Sequence, residues 1–264
     1  MSDVVLFETK SLKDGRKLGV VTLNAPKTLN SLSLDMIDLM LPQLVKWQDD
    51  PQIVLVLFLS AGDRAFSAGG DIQNLYHDMV EHPEGPCPYS DAFFEREYRL
   101  DYLIQTYDKP TVVWGQGIAM GGGLGVLTAC SHKIGTETTR IAMPEITIGL
   151  FPDAGATYAL SRMPEHYAYF LGWTGANVNG EDARRVGLID YLINNDQQEA
   201  VIDAITSHAW EGDAATALDQ LLDTFVQTSS DFPPSQLAMH DQIISETVTI
   251  ALASDNPVGI FLEQ

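Results

Sequence analysis

From Leu34 onward, apolar residues recur at Ile37, Met40, Leu41, Leu44 and Trp47, the three- and four-residue spacing of one helix face. Residues 53–59 follow as an unbroken apolar run, IVLVLFL. A run of that kind predicts a strand covered on both faces. Upstream, residues 4–8 and 17–23 flank Lys13-Asp14-Gly15-Arg16, a turn signal between β-prone stretches, which predicts an opening hairpin. Residues 60–71 read as a Gly-rich loop, the polar sequence up to Tyr107 as helix, and residues 111–114 as a second buried strand. A second Gly-rich turn then leads into a helix from Gly121, and residues 189–193 supply a last short strand. Beyond it, Leu218, Leu221, Leu222 and Phe225 share a helix face, as do Leu237, Ile244, Val248 and Leu252. Strands alternating with helices predict an α/β fold with a core over residues 1–195 and a helical region over 196–264.

Charge narrows the function. The 264 residues carry 15 Lys and Arg against 36 Asp and Glu, a formal charge of −21, which excludes nucleic acid as a partner because phosphate neutralisation needs basic residues. The imbalance is uneven: residues 186–264 hold thirteen acids and no Lys or Arg, while residues 1–30 hold five basic residues against three acids. Such an imbalance is most simply a set of solvated faces; the functional alternative is an anionic ligand that approaches along the N-terminal segment. Cys87 and Cys130 form neither a disulfide framework nor a CxxC pair, so a reducing, cytoplasmic setting is expected. Residues 1–17 contain no continuous apolar stretch and read as no signal peptide. The long uncharged segment 110–131 contains six glycines, too poor in large apolar side chains for a spanning helix, so no membrane is expected.

Several chemistries fail on their motifs. There is no GK dipeptide for a phosphate loop, and the G-x-G-x-x-G begun by Gly115 and Gly117 meets Met120 at its sixth position. No G-x-S-x-G or HExxH occurs, the histidines are scattered singly, and no metal site is expected. Attention falls on residues 141–160, where Glu145 and Asp153 are the only charged side chains. A carboxylate in apolar surroundings has a raised pKa and becomes usable as base, acid or nucleophile, although Asp153 is also well placed to cap a helix. Two Gly-rich turns, residues 67–71 and 120–125, each follow a buried strand and free backbone N–H groups where a helix begins. Two such donors converging on one point stabilise an oxyanion.

These residues resemble the crotonase (enoyl-CoA hydratase/isomerase) superfamily. The likeness runs from Val20-Val21-Thr22-Leu23-Asn24-Ala25-Pro26-Lys27 through Ala65-Phe66-Ser67-Ala68-Gly69-Gly70-Asp71-Ile72 and the GGG turn to Met143-Pro144-Glu145. Within the superfamily it is most similar to 3-hydroxyisobutyryl-CoA hydrolases, in Gly149-Leu150-Phe151-Pro152-Asp153 and in Phe94-Glu95-Arg96-Glu97-Tyr98. Gly125 stands where hydratases of the superfamily carry a catalytic glutamate.

The resemblance implies a spiral of ββα turns that binds acyl-CoA, and thioester hydrolysis with no cofactor beyond the CoA of the substrate. It places catalysis on Glu145, Asp153 and Glu97, oxyanion donors on the N–H groups of Gly70 and Gly122, and CoA contacts on Lys27, Ala68, Asp71 and Ile72. The alternatives are a hydratase or isomerase and a non-catalytic acyl-CoA binder. It also implies a longer C-terminal part than residues 196–264 supply. Residues 258–262 are accordingly expected to present an uncovered apolar face that favours a homo-oligomer.

Overall fold

The computed structural model describes residues 4–226, 228 and 230–263. The opening hairpin forms as expected: β1 (Val5–Ser11) and β2 (Lys17–Leu23) are antiparallel, with Val5 opposite Leu23. Helix α1 (Leu34–Asp49) starts where the Ser33 side chain accepts the Met36 N–H, and it buries Met36, Ile37, Met40, Leu44 and Trp47. β3 (Ile53–Ser60) then pairs in parallel with β2. Its alternate residues serve different cores: Val56 and Phe58 join the cluster around α1, while Leu55 and Leu57 join the opposite one. That division explains the unbroken apolar run.

The stretch read as one Gly-rich loop holds a strand, β4 (Ala65–Ser67), before helices α2 (Ile72–Glu81) and α3 (Pro88–Gln105). The arrangement then recurs: β5 (Thr111–Gly115), β6 (Ile118–Met120), α4 (Gly121–Ala129), followed by β7 (His132–Gly135) and β8 (Arg140–Ala142). In each turn a longer strand enters one sheet, a three-residue strand enters a second sheet, and the chain leaves towards helix. Strands of three residues are too short to show a period, which is why the pattern of polar and apolar positions missed them.

The remaining elements are α5 (Ala156–Leu160), α6 (Glu165–Thr174), β9 (Val178–Asn179), α7 (Gly180–Arg185), β10 (Tyr191–Leu192), α8 (Gln198–Ser207) and α9 (Ala214–Val226). They are followed by α10 (Gln236–Met239), α11 (Asp241–Leu252) and α12 (Pro257–Glu263). The first sheet has the order β1-β2-β3-β5-β7-β10 and the second β4-β6-β8-β9. In the second sheet β4, β6 and β8 are parallel neighbours, so the segments after them emerge side by side.

Helices α8 and α9 lay Val201, Ile202, Ile205, Leu218 and Leu222 against Leu18, Val20, Val112 and Trp114 on one face of the larger sheet. On α11 the buried positions are Ile244, Val248 and Ala251; Leu252, expected to share that face, is 36% exposed. Asp182 anchors α10, its buried carboxylate accepting the Leu237 N–H at 2.8 Å and the Ser235 hydroxyl at 2.6 Å. The apolar face expected over 258–262 is partly covered: the Phe261 ring packs edge-on against Trp173 at 5.3 Å and Phe170 at 6.3 Å.

Candidate active site

Because β4, β6 and β8 run in parallel beside one another, the segments leaving their C-terminal ends converge. β4 delivers Gly69 and Gly70, β6 delivers Gly121 and Gly122, and β8 delivers Met143, Pro144 and Glu145. The Gly70 peptide is pinned from both sides, the Leu32 N–H bonding to the Gly69 carbonyl at 2.7 Å and the Asp71 N–H to the Leu32 carbonyl at 2.8 Å. Gly122 is the second residue of α4, where no preceding carbonyl of the helix reaches its N–H. Helix α3 crosses α4 closely enough that a Cβ at Gly122 would overlap the Glu97 carboxyl group. The missing side chain at 122 thus lets a carboxyl from a distant element reach the turn, and any Cβ there would have to displace it.

A cavity of about 120 Å³ opens between these segments. It is lined by Gly70, Gly122, Glu97, Glu145 and Asp153, together with Ala68 and Ile72. All five residues expected to take part in catalysis therefore meet in one place. Two of the expected CoA contacts lie elsewhere. Lys27 is exposed on the 3-10 turn Pro26–Thr28, which is tied to the cavity wall by the Ala68 N–H bonding to the Leu29 carbonyl at 3.0 Å. Asp71 caps α2, accepting from the Asn74 N–H at 3.3 Å and the Asn74 amide at 2.6 Å.

The electrostatics follow from burial. Glu97 is 2% exposed and its Oε1 has no hydrogen-bond partner. That burial, with the Asp153 and Glu145 charges beside it, pushes its pKa up to about 8. Glu97 therefore holds its proton at neutral pH and can donate a hydrogen bond. Glu145 is 6% exposed with Oε2 unpartnered, and burial lifts its pKa above the ordinary glutamate range. Asp153 does not cap α5, whose N-cap is Gly155; its Oδ2 instead accepts the Tyr98 hydroxyl at 2.6 Å.

Sequence reasoning missed two neighbours. Tyr98 holds Asp153, and Asp101 lies one helical turn beyond Glu97 with both carboxylate oxygens buried and unpartnered. The available signal was the four-residue spacing of Glu97 and Asp101 on a face that also carries Phe93, Leu100 and Ile104. Among the described residues no group of three or more His, Cys, Asp or Glu is placed to hold a metal, and no helix is long and apolar enough to cross a membrane.

The burial of Glu97 has a measurable cost. Unfolded, it loses its proton near 4.5, and folded near 8, so between those values the folded chain binds the extra proton. Its contribution to stability is full below about pH 4.5 and is lost as the pH rises through about 8, by up to about 5 kcal/mol. Glu97→Gln removes that loss. Urea unfolding at acid and alkaline pH should show the variant gaining on the parent chain as pH rises; equal pH slopes would contradict the assignment.

Residues 18–254 match the family model described as enoyl-CoA hydratase/isomerase. The mitochondrial 3-hydroxyisobutyryl-CoA hydrolase of Danio rerio is 39% identical over 225 residues, covering 85% of this chain and 56% of that protein. The Homo sapiens protein of the same description is 40% identical over 196 residues, covering 74% of this chain and 48% of its own length. The chain thus spans about half the length of the curated relatives it matches. Among solved structures, a carnitinyl-CoA dehydratase from Mycobacterium thermoresistibile aligns with a TM-score of 0.80 at 30% identity, covering 99% of this chain and 75% of that one.

Proposed function

The chain belongs to the enoyl-CoA hydratase/isomerase family, the crotonase superfamily, and from that premise we propose that it hydrolyses the thioester of 3-hydroxyisobutyryl-CoA or a similar short 3-hydroxyacyl-CoA. The observation that carries the reading is the meeting of three carboxyl groups and two backbone N–H groups around one cavity of about 120 Å³. The carbonyl oxygen of the thioester lies between the N–H groups of Gly70 and Gly122, which stabilise the oxyanion as it forms. Glu145 attacks the carbonyl carbon or takes a proton from the attacking water; both roles need an ionised carboxylate beside the carbonyl. Asp153, oriented by Tyr98, handles the water and the leaving thiolate, and protonated Glu97 donates to the 3-hydroxyl. Ala68 and Ile72 on the wall, with Lys27 and Asp71 outside it, hold the CoA moiety.

In this reading CoA is part of the substrate and no further cofactor takes part. The unpaired Cys87 and buried Cys130 suit a cytoplasmic setting.

Hydration of an enoyl-CoA is the weaker reading because Gly125 has no room for a side chain. A Cβ there would sit 2.8 Å from the Ala154 Cβ and 2.9 Å from Asp101 Oδ2. Thiol release and loss of enoyl absorbance, followed side by side on 3-hydroxyacyl- and 2-enoyl-CoA esters, test the choice. Rapid thiol release from the 3-hydroxyacyl esters with negligible hydration is expected. Robust hydration with no thiol release would reverse it.

A further inference from the structure

Asn30 is a polar residue that the chemistry above leaves unused, yet it is only 1% exposed. Its side chain divides its hydrogen bonds among three backbone positions. Oδ1 accepts the Ala25 N–H at 2.9 Å, while Nδ2 donates to the Ala61 and Ala65 carbonyls, each at 3.0 Å. The Asn30 N–H also donates to the Ala25 carbonyl at 3.0 Å, so this residue closes the Pro26–Thr28 turn through both its backbone and its side chain. The turn is wound against ordinary preference. Leu29 and Asn30 have φ of 55° and 54°, a left-handed conformation that asparagine tolerates and leucine rarely adopts. Two such residues in succession persist only where their surroundings hold them, and the bonds of Asn30 are part of that hold.

The segments joined in this way serve different parts of the site. On one side is the turn that carries the exposed Lys27. On the other is Ala65, the first residue of β4, the strand that leads to Gly70. Past Asn30 the chain runs along the Gly70 segment, with the Leu29 carbonyl accepting the Ala68 N–H and Leu32 bonded to Gly69 and Asp71. The Leu32 side chain also lies 3.5 Å from where a Cβ of Gly122 would be. Residues 29–32 therefore touch both N–H donors' surroundings, and a shift of the Lys27 turn reaches them through Asn30.

A short acyl group offers few contacts of its own, whereas CoA is large. Its negative charge sits on the phosphates of its nucleotide end, the part that an exposed lysine can meet. Affinity gained at so remote an end raises turnover only where it is converted into alignment at the reacting carbonyl. We propose that Asn30 makes this conversion, coupling the Lys27 turn to the Gly70 and Gly122 donors so that a bound nucleotide end holds the oxyanion site in register. Asn30 does not line the cavity, so it is a positioning residue. The inference rests on the hydrolase reading.

The test compares two thioesters of one 3-hydroxyacyl group, on CoA and on pantetheine, which has the reacting sulfur and its arm but no nucleotide. In the full chain the CoA ester is expected to show a kcat about 10²-fold above that of the pantetheine ester. Asn30→Gly suits the left-handed conformation and deletes all three side-chain bonds. It is expected to lower kcat for the CoA ester about tenfold, with KM within about threefold, and to leave kcat for the pantetheine ester within about twofold. Asn30→Asp keeps the acceptor for Ala25 but turns an oxygen towards the Ala61 and Ala65 carbonyls. It serves if the glycine variant does not fold, and the same split is expected of it. A loss shared equally by the two esters is that of a merely structural residue and overturns the coupling, as does parental kcat in the variant. Equal kcat for the two esters in the parent chain overturns it without any variant and leaves the hydrolase reading standing. No thiol release from either ester in the parent chain brings down both.

Discussion

Glu145→Gln should abolish thioester cleavage, by at least about 10³-fold in kcat, while acyl-CoA binding changes little. The side chain sits on a single 3-10 turn, Pro144–Ile148, at the end of β8, with one carboxylate oxygen 3.5 Å from where a Cβ of Gly121 would lie and the other buried without a partner. Glutamine has nearly the same size, so the turn and cavity persist; it has no charge, so it neither attacks a carbonyl nor accepts a proton from water. The poor solvation that raises the pKa of Glu145 also leaves its ionised form reactive. Single turnover in heavy-oxygen water separates the two roles: a nucleophile acquires label in Glu145 itself, whereas a general base leaves the label in the product acid. Parental rates in Glu145→Gln would refute the assignment and move the chemistry to another group, whereas binding without cleavage by the parent chain would favour a non-catalytic acyl-CoA binder.

How much of this is legible in the sequence depends on how local each signal is. β3 and β5 are visible as apolar runs because both of their faces are covered, and α1 is visible through its helical period. β4, β6 and β8 are three residues each and exist through pairing with one another, a relation between positions some 20 to 50 residues apart that no local pattern carries. Yet these are the strands that align Gly70, Gly122 and Glu145. Their meeting was therefore suggested by resemblance and by the two Gly-rich turns rather than by periodicity.

Asp101 illustrates the opposite failure. Its identity is plain in the sequence, but an acid on a helix is ordinarily solvated, and only the crossing of α3 over the glycine edge of α4 buries it. The alternative role weighed for Asp153 fails for a similar reason: its carboxylate is claimed by Tyr98, 55 residues earlier in the chain.

The glycine edge also supplies the second large effect. Gly122→Pro removes one of the two proposed oxyanion donors at a position, the second of α4, where a helix tolerates proline, so kcat/KM should fall by about 10²-fold or more in a folded protein. Gly122→Ala keeps the N–H but adds a Cβ that overlaps the Glu97 carboxyl, so it acts by displacing Glu97 and should cost less, about tenfold. The two causes separate in a Glu97→Ala background, where the overlap no longer exists. There the alanine at 122 should add almost nothing to the loss already caused by Glu97→Ala, whereas the proline, relieved of the same overlap, should still cost the share owed to its missing N–H, about tenfold or more. Each variant is judged by kcat/KM for thiol release together with its unfolding midpoint. If the proline variant folds and turns over at the parental rate, the Gly122 N–H is not a donor to the oxyanion. If alanine and proline are equally harmful with Glu97 present and equally harmless without it, the glycine serves only to seat that carboxyl.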